Sequence, residues 1–200
     1  MFGLPANTEV GTQLPKKSIY AKFAMNSSEK EKFDADISRI LIANAVDGRH
    51  VAEGEKVKSF YVLAVQLKHK EYDPKNIVSL VKLINQNILF ALIYEEQVQF
   101  TIHHTKLISS DWQPTTEANI SLSGLDLDAV WESIVRSVGQ IEVTEGNTLT
   151  EQIKVDDQRI KIRAQITALQ KKLNSEKQFN RQIEINAQIK ALRKQLMELK

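Results

Sequence analysis

SFYVLAVQLKHKEYDPKNIVSLVKLINQNILFALIY, Ser59 to Tyr94, sets two apolar runs on either side of a helical pattern. The first run, SFYVLAVQL (Ser59–Leu67), is dense in aromatic and β-branched residues, the composition of a central strand buried on both faces. Asp73 and Pro74 then open a helix. The carboxylate caps free amides, and proline's fixed φ and missing N–H suit the first helical position. Ile77, Leu80, Val81 and Ile84 follow at helical spacing, and NQN ends the segment. ILFALIY (Ile88–Tyr94) is a second continuous apolar strand. Strand, helix, strand in this order predicts a right-handed crossover joining two parallel neighbours.

Moving outward, QVQFTIHH alternates Val98, Phe100 and Ile102 against Gln97, Gln99, Thr101 and His103, the period of a hairpin strand with one wet face, so antiparallel pairing enters the sheet. Polar residues around Trp112-Gln113-Pro114 make a loop or short edge strand. Asp126 caps a helix on which Leu127, Val130, Trp131, Ile134, Val135 and Val138 form one broad stripe, with Trp131 a core anchor. Upstream, Ser28 and Glu31 have capping-box spacing, and Phe33, Ile37, Ile40 and Leu41 recur as on a helix, predicting one from Ser28 to Ala45. Asp47-Gly48 breaks it. The first twenty-odd residues, with Pro5, Gly11 and Pro15, read as an ordered arm on the body, closed by PKKSIYAKF as a short helix or strand.

Past Gly139 and Gly146 the periodicity changes. Val155, Ile162, Ile166, Leu169 and Leu173 fall on a heptad seam, as do Ile185, Ile189, Leu192, Leu196 and Leu199. QITALQKKL (Gln165–Leu173) returns twenty-three residues later as QIKALRKQL (Gln188–Leu196), identical at six of nine positions. Two arms with the same seam, joined by the polar NSEKQFN, predict an antiparallel hairpin with arms roughly 30 to 36 Å long. The expected fold class is therefore α+β: a mixed β-sheet with flanking helices over residues 1–146, then a C-terminal antiparallel helical hairpin, a coiled coil, over 147–200.

The charge is unevenly placed. Residues 147–200 hold twelve Lys or Arg against six Asp or Glu, leaving fifteen against nineteen before them, so the tail is +6 and the body −4. A basic tail attracts phosphate backbones or acidic protein surfaces. With no cysteine in the chain, disulfides, thiolate zinc sites and cysteine nucleophiles are excluded. ILFALIY is too short to span a bilayer, and MFGLPANTEV lacks the basic and apolar regions of a leader, which predicts a cytoplasmic protein with no membrane partner.

Site chemistry is sparse. Seven scattered glycines place neither a Walker loop nor a dinucleotide fingerprint, so no cofactor is expected. His103 and His104, adjacent on a strand, point to opposite faces and do not ligate one ion together, so no metal is expected. Gln66 and Lys68 on one strand downstream of Asp47 resemble in outline a restriction-endonuclease-type core, where carboxylates hold Mg²⁺ and a lysine steadies the attacking water. Gln66 brings no charge to that role. At the hairpin turn Phe179 and Ile183 lie one turn apart and off the seam, beside Lys177 and Arg181, as a partner-binding hot spot would; the competing reading folds Phe179 over the hairpin's end as a plug. Ile153 and Ile160 also lie off the main seam and read as a docking face.

PKKSIYAKF, NILFALIYEEQVQFTIHH, GLDLDAVWESIV and, above all, NSEKQFNRQIEINAQIKALRKQL together resemble a bacterial domain-of-unknown-function family, number 4391, over nearly the whole chain. Members of that family are encoded beside DNA methyltransferases and helicases of restriction and phage-defence systems. The resemblance implies an accessory role there and supplies no catalytic residues. The expectation is a non-enzymatic adaptor that docks a methyltransferase, a helicase or DNA through its basic hairpin, with Lys177, Phe179 and Arg181 as the contacts. The alternative is a divergent Mg²⁺-dependent nuclease using Asp47, Gln66 and Lys68. Self-association through the hairpin is compatible with either.

Overall fold

Runs rich in β-branched residues become strands where both faces can be covered, and here they form a seven-stranded sheet. The computed structural model describes residues 2–84 and 86–199. Two compact units divide the chain between Gln140 and Ile141. In the first, a short 3-10 turn (Ala6–Thr8) leads to β1 (Glu9–Gln13), α1 (Lys16–Lys22), α2 (Ser27–Asp36), β2 (Ile37–Asp47), β3 (Ser59–Leu67), α3 (Pro74–Ile84) and β4 (Asn87–Tyr94). β5 (Gln97–His103), β6 (Leu107–Ser109), β7 (Gln113–Pro114) and α4 (Leu127–Gly139) complete it. The sheet runs β1-β2-β3-β4-β5-β6, with β7 also on β5. β3 and β4 are parallel, as the crossover requires, and the other pairs are antiparallel.

Alternation along β3 and β4 sends side chains to two cores. Leu63, Val65, Leu67, Phe90 and Leu92 meet Ile19 of α1, Phe33 of α2 and Ile77 and Leu80 of α3 in one buried cluster. Each such side chain stabilises the fold by about 1.5–3 kcal/mol through area removed from water. On the opposite face the stripe of α4 is buried at Leu127, Val130, Trp131, Ile134, Val135 and Val138, and Trp131 sits 5.4 Å from the Phe60 ring. Asp126 caps α4 by accepting from the Ala129 N–H at 2.9 Å.

The helix expected over Ser28–Ala45 is only half present. Asn26, not Ser28, is the cap: its side chain accepts from the Glu29 N–H, and the Glu29 carboxylate accepts from the Asn26 N–H, both at 2.9 Å. The helix stops at Asp36, and Ile37–Asp47 is an eleven-residue strand paired to β3 along its length. The pairing register shifts twice, between Ile37 and Arg39 and between Ile42 and Asn44. The first irregularity offsets the period of two between Ile37 and Ile40, so Ile37, Ile40 and Leu41 continue the helical spacing that Phe33 of α2 begins. The arm holds an edge strand, β1 on β2, and within PKKSIYAKF the helix α1, the helical of the two forms expected.

The second unit holds α5 (Leu149–Ser175) and α6 (Phe179–Glu198), packed on each other. At 1.5 Å per residue they run about 40 and 30 Å. Ile162, Ile166, Ile185 and Ile189 are buried between them, with Leu169, Leu173, Leu192, Leu196 and Leu199 half-buried alongside. Thr148 and Glu151 form a capping box at the start of α5. The Arg159 guanidinium donates to the Leu199 carbonyl at 2.8 Å, fixing the register of the two arms. No helix of the described residues is long and apolar enough to cross a membrane.

Candidate functional site

The seam dictates which residues of the hairpin are left over. Asn174 and Ser175 offer polar alternatives to helical hydrogen bonding where α5 ends. Glu176 then organises the turn: its Oε1 accepts from the backbone N–H groups of Lys177 and Gln178, both at 2.9 Å, and its carbonyl accepts from Gln182 Nε2 at 2.7 Å. The Gln178 N–H first, with Lys177 behind it and the Arg181 and Lys172 charges adding, holds the Glu176 carboxyl below its ordinary range against a smaller opposing effect of burial. The turn is thus a fixed platform.

On that platform Phe179 is 72% exposed and Ile183 53% exposed. At 100° per residue both point away from the Ile185–Ile189 seam. Phe179 is therefore a surface side chain and does not plug the end of the hairpin. Lys177 and Arg181 are exposed at the same turn, Arg181 about 200° round α6 from Phe179. Met197, 85% exposed, continues the outward face of α6 near the far end, and Ile160 of α5 is 59% exposed. Exposed apolar side chains on one side of α6 and cations elsewhere on the same turn suit an amphipathic, acidic partner surface: the ring supplies area and the cations orientation.

The strand pair β2/β3 separates the other candidates. Asp47 is level with Ser59 and Arg39 with Gln66, so Asp47 and Gln66 stand seven residues apart along β3, about 23 Å at strand rise. Asp47 serves its own turn. It accepts from Arg49 Nη2 (2.7 Å), Nε (3.0 Å) and backbone N–H (3.0 Å), and these bonds, the guanidinium's first, hold its carboxyl far below the usual range. Gln66 and Lys68 are together at the opposite end of β3.

What the fold brings to Lys68 instead is the end of α2. The Lys68 N–H donates to the Asp36 carbonyl at 2.8 Å. The buried Asp36 carboxylate accepts on Oδ2 from the Asp73 N–H and from Asn76 Nδ2, both at 2.7 Å, and His69 Nε2 lies 3.4 Å from Oδ1. Nearby, burial pushes the Asp34 carboxyl up, but hydrogen bonds from Lys16 Nζ (2.6 Å) and Tyr20 OH (2.5 Å), with the charges of Lys16 and Lys68, outweigh it and hold it down. These carboxylates were not legible as Lys68's neighbours, because only the β2/β3 register brings them there. The donor set does not fit Mg²⁺: Asp36 Oδ2 is already committed twice, Asp34 is paired to Lys16, and Gln66 is neutral. Among the described residues no group of three or more His, Asp or Glu is placed to hold a metal ion.

His103 and His104 end β5 and the turn after it. Burial, then the neighbouring His103, lowers the His104 pKa. Between α4 and the β5–β7 edge lies a cleft of about 390 Å³, lined by Ser110, Asp111, Glu117, Asn119, Ser133 and Ser137 among others and by no cation. A phosphate-bearing ligand would find no counter-charge there.

The sequence profile of the family described as Domain of unknown function (DUF4391) matches residues 2–196. The chain belongs to that family. Among curated proteins nothing matches it, and among solved structures nothing does. For a DUF4391 chain the tip, where two large apolar side chains are exposed one turn apart, is one feature that burial and capping leave unexplained.

Proposed function

We propose that this protein is a non-enzymatic accessory protein of a bacterial DNA restriction or phage-defence system, acting in the cytoplasm as an adaptor whose hairpin docks a methyltransferase or helicase. The observation that supports the reading is the tip: Phe179 and Ile183 are exposed one turn apart on one side of α6, with Lys177 and Arg181 exposed at the same turn, which Glu176 organises. A few large side chains clustered in a patch are the anchors from which interfaces are built. The +6 charge of residues 147–200 adds long-range attraction to an acidic partner surface or to DNA.

The test is co-purification of the full chain with the neighbouring gene products, for wild type and Phe179→Asp. Retention by wild type and loss by the variant is the expected result. Retention by both removes the tip from the interface. DNA as the partner is distinguished by salt: phosphate contacts weaken steeply as salt rises. Cutting of DNA in Mg²⁺ or Mn²⁺ that Lys68→Ala abolishes would overturn the adaptor as a complete account.

A further inference from the structure

We infer that the hairpin is a dimerisation element: two copies pack face to face through the groove between α5 and α6, in parallel, with both tips at the same end. The inference goes beyond the tip's role as a docking point. It starts from the groove's lining, which is Gln165, Ala168 and Leu169 from one arm and Gln188, Ala191 and Leu192 from the other. These are the same positions of the doubled phrase. The groove, about 540 Å³ and open, is therefore symmetric about an axis through the hairpin's face.

Burying the seam does not require that match. Of the six identities between the phrases, Ile166/Ile189, Leu169/Leu192 and Leu173/Leu196 belong to the seam, whereas Gln165/Gln188, Ala168/Ala191 and Lys171/Lys194 are exposed. Small residues at matched exposed positions let a second backbone approach, and the half-buried leucines beneath them are what such an approach would cover. A two-helix face spanning residues 158–175, about 27 Å long and 18 to 20 Å wide for neighbours 8–10 Å apart, offers about 500 Å² per copy. Two copies bury about 1,000 Å², the lower bound of a specific interface.

The matched groove and its area favour a second copy as the occupant, and charge pairs set its direction. Counting inward along both arms from the Arg159–Leu199 hydrogen bond places Ala168 within one residue of the level of Ala191, and Lys172 within two of Glu184. A two-fold axis parallel to the helices lays α5 of one copy over α6 of the other at equal levels. Ala168 then meets Ala191 across the axis, and Lys172 meets Glu184, twice. The perpendicular two-fold lays α5 over α5 and brings Lys172 toward Lys161. The first arrangement gains two Lys172–Glu184 pairs and sets Lys177 level with Arg181 only at the exposed tip, whereas the second sets Lys172 against Lys161 within the face, so charge favours the first.

Sedimentation equilibrium of the full chain tests this. The expected result is a monomer–dimer equilibrium that tightens as salt screens the two +6 hairpins from each other. Ala168→Glu with Ala191→Glu, both on exposed helical positions, should raise the dissociation constant at least about tenfold by placing unpaired carboxylates in the groove, with far-UV circular dichroism unchanged. Lys172→Glu should weaken the dimer, and Glu184→Lys added to it should restore it. Because the chain has no cysteine, Gln178→Cys gives one spin label per copy. Labels close together support the parallel arrangement, and labels separated by about a hairpin length overturn it. A chain that stays monomeric at high concentration, or a dimer indifferent to the alanine substitutions, overturns the inference outright.

Discussion

Ile189→Ala and Ile160→Ala delete the same atoms from the same unit at sites that differ only in burial. Ile189 is 5% exposed in the α5/α6 seam, and Ile160 is 59% exposed on α5. Truncating a buried isoleucine costs about 2–5 kcal/mol, transfer plus cavity. The low end applies here, because a two-layer seam backed by solvent relaxes into the gap more easily than a three-layer core. Truncating an exposed side chain stays within about 0.5 kcal/mol. The second unit is about sixty residues with four buried isoleucines as its central contacts, so a typical stability of about 0.05–0.15 kcal/mol per residue gives only about 3–9 kcal/mol to lose. Hydrogen exchange on peptides from residues 149–198 reads this directly, since about 1.4 kcal/mol is tenfold in opening. Ile189→Ala should accelerate exchange there by about thirtyfold or more, and Ile160→Ala by no more than about threefold. Trp112 and Trp131 both belong to the first unit, so their fluorescence reports its integrity separately. Equal acceleration by the two variants would refute the claim that the seam, rather than helix propensity, holds the hairpin.

Trp131→Ala removes the ring packed on Phe60 and should cost about 3–5 kcal/mol, read as a lowered urea midpoint by far-UV circular dichroism. Asn26→Ala breaks the capping box of α2 and should cost about 1 kcal/mol in the same assay, while Ser28→Ala, at the position expected from sequence to be the cap, should cost almost nothing. Asp128 accepts from the N–H groups of Val57 (2.7 Å), Glu55 (2.8 Å) and Lys56 (3.1 Å), and these bonds, Val57's first, outweigh burial and lower its pKa. Because the folded value lies below the unfolded one, its contribution is complete above the ordinary carboxylate range and disappears as pH falls through the folded value. Asp128→Asn should therefore flatten the acid limb of stability, measured by urea midpoints between neutral pH and about pH 3.

β3 and β4 were legible as unbroken apolar runs, and α3 and α4 as uninterrupted helical stripes opened by Asp73-Pro74 and by Asp126. β2 was not, because it follows α2 directly and the register shift after Ile37 puts Ile37, Ile40 and Leu41 at the spacing that Phe33 of the helix begins. β1 is exposed at all five positions, so it has no buried face to generate a pattern, and its pairing with β2 belongs to the backbone alone. The candidate residues divide in the same way. Phe179 was legible as a leftover because the seam predicted which side chains it did not need. Asp47 was grouped with Gln66 and Lys68 by its place upstream of their strand. Only the antiparallel register shows that the head of β2, with Asp34 and Asp36 just before it, faces the Lys68 end of β3.

The tip and the groove make a joint prediction that neither makes alone. If two hairpins associate in parallel, each dimer presents two copies of Phe179 at one end, and a partner displayed at high density engages both. The second engagement is then intramolecular, and apparent affinity rises by as much as about 10²–10⁴ over a single tip, depending on spacing. A soluble monovalent partner gains nothing. Ala168→Glu with Ala191→Glu should therefore weaken capture on a surface densely coated with the partner, by at least about tenfold, and leave solution affinity for the monovalent partner unchanged. Phe179→Asp should weaken both, because it removes the contact itself. Were the groove variant to weaken solution binding as much as surface capture, Ala168 and Ala191 would belong to the partner's own interface. The symmetry of the doubled phrase would then serve a two-fold partner rather than a second copy of this chain.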